Sequence, residues 1–288
     1  MFFVSISVFA LSVLALAIWG LNFGVDFTGG STMEVEFKDQ RPNIQDIEKV
    51  LREISDLEFS TSPTGDLGII IRTSELSESQ HQSLLSGLTN KFPSGFEERS
   101  FDSVGPTVGR ELRSKSIVAI IIVLAVIAFY IAIVFRKLSK TLSLWAMNGA
   151  ALVSLLHDII IPMGVFSVLG RYYNVEIGAV FVAAALTILG YTVSDKVVIF
   201  DRVRENIIRG DKSNLGHIVH KSVMQTLVRS INNTLTVILS SAAIFIFGGD
   251  SIKYFALALM IGIFLGAYSS IFVASPLLVW WSDKIKRG

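Results

Sequence analysis

Six apolar runs constrain this chain more than any motif does. They cover approximately Phe2–Gly20, Ser116–Phe135, Leu142–Leu169, Val175–Phe200, Ser230–Phe247 and Tyr254–Trp281. Each is long enough to cross about 30 Å of hydrocarbon as a helix of about 20 residues. Of 288 residues 51% are hydrophobic, and the mean hydropathy is +0.60, beyond that of an ordinary globular protein. The expected fold is a polytopic α-helical membrane protein with six transmembrane helices. The first run has no basic flank and no evident small-residue cleavage site near Asn22, so it is read as an anchor and not a signal peptide. The missing flank points either to a truncated start or to an orientation set by later loops.

The net charge of +1 hides a split. Residues 21–115 carry 16 acids and 10 bases, a net of −6, while the remainder stands at +7. The acidic block reads as a water-exposed domain, and the basic remainder as including cytoplasmic loops. Arg136, Lys137 and Lys140 fill one short loop. Arg202, Arg204, Arg209, Lys212, Lys221 and Arg229 fill or border another, and Lys284, Lys286 and Arg287 form the tail. The opposite short loops hold only Arg171 and Lys253. Basic loops stay on the cytoplasmic side. Both termini are therefore expected there, with residues 22–115 outside, and Tyr172, Tyr173, Trp280 and Trp281 in interfacial belts. The expected domains are residues 1–21 as the first helix, 22–115 as the external domain and 116–288 as a five-helix bundle. There are no cysteines, so the external domain holds together without disulfides. The bases sit at helix ends and in short loops, which gives no nucleic-acid-binding surface.

The acidic block alternates strand and helix signals. Val25–Phe37 is β-like, with Met33, Val35 and Phe37 alternating after a Gly-Gly pair. Asn43–Ile54 has helical spacing at Ile44, Ile47, Val50, Leu51 and Ile54. A short strand near Leu57–Ser60, a strand at Leu67–Arg72, a helix at Ser77–Phe92 stopped by Pro93, and a strand at Phe96–Val104 follow. The order β-α-β-β-α-β is the ferredoxin-like pattern. Both ends join membrane helices, so movement in the bundle is mechanically linked to this domain.

Asp195 lies inside the run Val175–Phe200. A carboxylate near the centre of a membrane helix costs roughly 2.5–3.5 kcal/mol on insertion scales, so it marks a candidate functional site. Thr187, Tyr191 and Asp195 stand four residues apart, and the spacing predicts a polar seam buried in the bundle. Such a seam suits an ion-coupled machine; the alternative is a structural carboxylate paired with a neighbour. His157-Asp158 reads as a proton relay or as a hydrogen-bonded pair fixing neighbouring helices. No second His or acid stands there at ligand spacing, so no metal is expected. Gly262, Gly266 and Ser270 form a small-residue ridge for helix packing. Asp26, Gly29 and Gly30 read as a hinge between bundle and domain or as a plain turn into a strand. No nucleophile–base arrangement, phosphate loop, redox motif or dinucleotide fingerprint appears, so neither enzyme chemistry nor a cofactor is expected.

Taken together, several motifs resemble the SecF family, membrane subunits of the bacterial protein-export machinery. Asn22-Phe-Gly-Val-Asp26-Phe-Thr-Gly29-Gly30 resembles the stretch leading into the family's external domain, and Val104-Gly-Pro-Thr-Val-Gly-Arg-Glu-Leu112 the stretch leading out. Leu156-His157-Asp158 is similar to a His-Asp stretch in the third span. Leu186-Thr-Ile-Leu-Gly-Tyr-Thr-Val-Ser-Asp195, continuing to Asn206, is the strongest likeness, followed by Gln225–Ser230 and Gly266–Ser275. The resemblance covers essentially the whole chain.

The resemblance implies a multi-pass protein of the bacterial inner membrane. It would work with SecD beside the SecY channel, within the RND superfamily. It would use the proton-motive force, or sodium, to drive the external domain and promote late export of an unfolded preprotein. It also implies an ion-coupling role for Asp195 and for Arg229, at the start of the next span, with a further acid supplied by SecD. Lys196 departs from the family's small hydroxyl residue; it could pair with a carboxylate, reach the cytoplasmic interface or hold Asp195 ionised. Two other readings are an RND-type half transporter for a small molecule or lipid, and a non-transporting scaffold of the translocase.

Overall fold

The computed structural model describes residues 2–54, 57–136, 143–211 and 213–287. Lys137, Lys140 and Lys212 fall outside that set, as do the side chains of Lys286 and Arg287. The chain divides into two compact units. One comprises Met1–Asn22, Ile117–Val175 and Val180–Gly288; the other comprises Phe23–Ser116 with Glu176–Ala179.

The chain starts with α1 (Phe2–Trp19), an apolar helix free of charged residues. The second unit follows. It opens with a single helical turn, α2 (Val25–Thr28), where sequence pattern predicts strand. The turn closes on Gly29 at φ 78° and Gly30 at φ 128°, angles that L side chains rarely adopt. The strand therefore begins only after the glycines, as β1 (Gly30–Phe37). Then come α3 (Ile44–Ile54), β2 (Phe59–Thr64), β3 (Gly68–Thr73), α4 (Glu78–Lys91) and β4 (Phe96–Val104). The four strands form one sheet in the order β2-β3-β1-β4, with every neighbouring pair antiparallel.

Period-two alternation decides which face of the sheet is covered. Met33, Val35 and Phe37 of β1 and Ile69 and Ile71 of β3 are buried against Ile47 and Leu51 of α3 and Leu84 and Leu88 of α4. Ser77 caps α4 in a capping box with Gln80, satisfying donors that the first turn would otherwise leave free.

The other unit is helical. α5 (Pro106–Val134), α6 (Leu144–Tyr173), α7 (Ala179–Ile208), α8 (Leu215–Phe247) and a final span over Ile252–Ser282 are long and apolar enough to cross a membrane. The final span consists of α9 (Asp250–Ser269) and α10 (Ser275–Arg287), joined by a π-helical turn at Ser270–Ala274. With α1 shorter than these, the described residues hold five long spans and one shorter apolar helix. Small residues let the helices close up. Ala146, Ala150, Ala151 and Ser154 line the buried face of α6. A Cβ on Gly164 of α6 would lie 2.4 Å from the Cβ of Ser12 in α1.

Leu84→Ala empties a site that is 1% exposed in the sheet–helix core. The expected cost is about 2–5 kcal/mol, read as faster hydrogen exchange in β1, β3 and α4 with the bundle amides unchanged.

Candidate ion-coupling site

α7 carries adjacent opposite charges, and successive helical residues point about 100° apart. Asp195 and Lys196 therefore face different neighbours. Asp195, 8% exposed, accepts a hydrogen bond from Ser230 Oγ of α8 at 3.0 Å. Lys196, 0% exposed, donates from Nζ to Asp158 Oδ2 of α6 at 2.7 Å. The other oxygen of Asp158 lies 3.3 Å from Nδ1 of the buried His157. Of the three roles open to Lys196 in sequence, pairing with a carboxylate has a direct contact in the structure, that with Asp158. The sequence names neither Asp158 as that carboxylate nor Ser230 as the partner of Asp195.

Arg229 forms no ion pair with Asp195. It is exposed and lines a cavity of about 400 Å³ with Tyr130, Asp201, Arg202, Glu205 and Gln225. Its charge nonetheless reaches Asp195, as do those of Lys196 and Asp158.

The seam predicted through Thr187, Tyr191 and Asp195 is only partly buried. Thr187 is exposed and its hydroxyl bonds back to Ala183 O at 2.8 Å. Tyr191 is half-buried with its hydroxyl lacking a partner among the described residues. The reason is helical drift: each four-residue step turns about 40° beyond a full circle, so Thr187 has left the face that Asp195 occupies.

His157 stacks on Phe9 of α1, and its Nε2 has no partner among the described residues. Gly262 and Gly266 of α9 meet α7, where a Cβ would fall 2.3 Å from Ile188 Cδ1 and 2.0 Å from Thr192 Cγ2. Ser270 bonds back to Gly266 O at 2.6 Å. A network joins α7 to α8 through two residues that the family-like stretches include, Asn206 and Gln225, whose pairing the sequence does not give: Asn206 donates to Ser222 Oγ at 2.9 Å and to Gln225 Oε1 at 3.0 Å.

Two family comparisons fit this geometry. "Protein export membrane protein SecD/SecF, C-terminal" matches residues 85–284, and "SecD/SecF GG Motif" matches residues 15–40. The chain belongs to the SecD/SecF family.

It is similar to the protein translocase subunit SecF of Thermobaculum terrenum, at 38% identity over 98% of this chain and 92% of that one. It is also similar to SecF of Anaerolinea thermophila, at 32% identity over 100% and 94%. Among solved structures it resembles SecDF of Thermus thermophilus, described as a translocon-associated membrane protein, with TM-score 0.80 and 29% identity. That likeness covers 97% of this chain and 37% of the SecDF chain.

In this member of the SecD/SecF family the GG motif makes a close approach. A Cβ on Gly29 would sit 2.5 Å from Pro106 Cα, and one on Gly30 would sit 2.6 Å from Thr73 O. The pair is packed closely between the end of β3 and the start of α5. Asp26 Oδ2 accepts the backbone N–H of Ala179 at 2.7 Å. Beside it, Arg72 of β3 pairs with Glu176 at 2.5 Å. Burial pushes the Glu176 carboxyl up, against the pull of Arg72, and the charge of Asp26 adds to the rise.

Two outcomes follow from this geometry. Lys196→Met or Asp158→Leu alone leaves a buried unpaired charge and is expected to cost about 3–5 kcal/mol, while the double substitution recovers most of that; thermal unfolding of the four proteins measures it. For Glu176, a carboxyl raised in the folded state contributes stability below its unfolded pKa and loses it as pH rises through the folded one. Unfolding of the second unit is therefore expected to become easier as pH climbs above 4.5, and Glu176→Gln should flatten that dependence.

Proposed function

We propose that this chain is an accessory subunit of Sec-dependent protein export, acting with SecD beside the SecY channel to promote late translocation of unfolded preprotein. It sits in the bacterial inner membrane with α1 and the five long spans crossing it, both termini cytoplasmic and residues 22–115 outside. The ferredoxin-like reading of that external domain draws support from its element order and from the strand order β2-β3-β1-β4. Partnership with SecD draws support from fused relatives: the Brucella abortus protein translocase subunit SecDF is 36% identical over 95% of this chain and 36% of its own length.

The observation that carries the coupling reading is the setting of Asp195. It is buried within α7 and held by a neutral hydroxyl. The neighbouring Arg229 has no ion pair among the described residues and lines a cavity with Asp201, Arg202 and Glu205. A carboxylate held by a neutral group can gain or lose a proton without breaking an ion pair, and a nearby arginine favours its charged form. Relative movement of α7 and α8 changes the approach of Arg229 and so loads or unloads the proton. One charge crossing 100 mV releases about 2.3 kcal/mol, enough to bias a two-state motion roughly 50-fold. The exposed residues Thr187, Gly190 and Ser194 of α7 form the face where SecD would present its own acid.

The test is preprotein export into membrane vesicles containing this chain and SecD, with and without a proton-motive force, at equal abundance. Asp195→Asn is expected to abolish the force-dependent stimulation and keep the basal rate. Full stimulation in the variant would leave Asp195 a packing residue and favour a scaffold role.

A further inference from the structure

The residues that lead into α7 belong to the second unit. Glu176–Ala179 cluster with Phe23–Ser116, and Ala179 is also the first residue of α7, the helix that carries Asp195. A helix N-terminus leaves its first N–H groups without intrahelical partners, and the side chain of the residue just before it commonly takes one of them. Here that residue is Gly178, which has no side chain to offer, and the first turn of α7 holds no acid. Asp26 of α2 fills the role from 153 positions away: its Oδ2 accepts the N–H of Ala179 at 2.7 Å. A carboxylate at that end also suits the helix dipole. The fit depends on the bare glycine, since a Cβ on Gly178 would lie 2.3 Å from Asp26 Oδ2.

Two further contacts hold the same short stretch. Gly24 donates its N–H to Ile177 O at 3.0 Å, beside a parallel bridge between Phe23 and Ile177. Arg72 of β3 pairs with Glu176 at 2.5 Å, with both side chains mostly shielded from solvent. The α2 turn that supplies Asp26 is itself packed in place. Phe27 is 5% exposed, Phe23 meets it edge-on at 5.9 Å between ring centres, and the guanidinium of Arg113 lies 4.3 Å from the centre of the Phe23 ring. The second unit also follows α1 and runs on into α5, but neither of those helices carries Asp195. A helix free at its outer end could turn or slide by itself. One capped by a carboxylate of another segment, and joined to that segment by backbone hydrogen bonds, takes it along.

We propose that Asp26 is a positioning residue that clasps the outer end of α7, and that this clasp carries movement of α7 into the external domain. The inference rests on the coupling reading above and goes beyond it by naming the contact through which the domain is driven. Asp26 acts through the N–H of Ala179, with Gly178 leaving it room.

The experiment uses the complex of this chain with SecD in vesicles, at equal abundance, under an imposed proton or sodium gradient. Two quantities are read side by side: stimulation of preprotein export by the gradient, and ion uptake followed with pH- and sodium-sensitive dyes. Asp26→Ala removes the acceptor, and Gly178→Ala displaces an unaltered Asp26. Both variants are expected to lose the stimulation and to keep the ion uptake that depends on Asp195. Asp26→Asn retains an oxygen acceptor and is expected to keep both, which separates the clasp from a general loss of folding. Hydrogen exchange at the Ala179 amide is expected to quicken roughly 2- to 30-fold in Asp26→Ala, the range that loss of a helix cap implies. Full stimulation in Asp26→Ala and Gly178→Ala would overturn the inference and leave the coupling reading standing. So would loss of ion uptake along with stimulation in those variants, or loss of stimulation in Asp26→Asn. Uptake and stimulation that both survive Asp195→Asn would overturn the coupling reading, and the clasp with it.

Discussion

Everything in the bundle has to accommodate one ion pair. Lys196 and Asp158 meet at 2.7 Å with no exposure to solvent, in helices that run through an apolar phase. Taking both charges out of water costs more than an ordinary contact returns, and the cost is offset only if geometry and the remaining hydrogen bonds are well satisfied. The surroundings follow from that demand. His157 takes the second carboxylate oxygen, and the backbone oxygen of Thr192 lies beside the ammonium. The glycines of α9 bring its backbone against Ile188 and Thr192 of α7. The pair fixes the rotation of α7 relative to α6, and that rotation turns Asp195 towards α8.

Serines recur where the packing is closest. Ser154 donates to Ser269 at 3.0 Å, and Ser269 and Ser270 both bond back to Gly266 O. Ser275 does the same to Ser270 O across the π-helical turn. Gly266 O and Ser270 O already accept the backbone N–H groups of Ser270 and Ser275, and the hydroxyls add a second hydrogen bond to each without bulk. On either side of the turn the segment faces the core, with Ala256, Ala258 and Ile263 of α9 and Leu278 of α10 buried.

Much of this could be read from the chain, for identifiable reasons. Most of the second unit follows from periodicity, because Met33, Val35 and Phe37 keep strict alternation and Ile47 and Leu51 keep helical spacing; the second strand does not, running Phe59–Thr64 where Leu57–Ser60 is expected, since its Ser, Thr and Pro residues carry no apolar alternation. Val25–Thr28 misled because three of its four residues favour strand, while the positive φ at Gly29 and Gly30 belongs to the turn that ends a helix. Asp195 and Lys196 announced themselves as charges in an apolar run. Their partners did not, because contacts to Ser230 and Asp158 span 35 and 38 residues and depend on which way α7 rotates. Thr187 shows the same limit. Four-residue spacing looks like one face over a single turn and drifts away over two.

The position of Arg229 ties these strands together. An arginine beside a membrane carboxylate would lock it as an ion pair if the two touched. Here α8 offers Ser230 to Asp195 and leaves Arg229 in a cavity that also holds Asp201, Arg202 and Glu205. Glu205 is already paired with Arg202 and Arg209, and Asp201 with Arg204. Neighbouring acids are thus largely committed, and Arg229 keeps its charge available towards Asp195 without being bound to it. A carboxylate flanked by a committed lysine and an uncommitted arginine has one fixed and one variable electrostatic neighbour. The fixed neighbour defines the site, and the variable one gives a shift of α8 relative to α7 something to change.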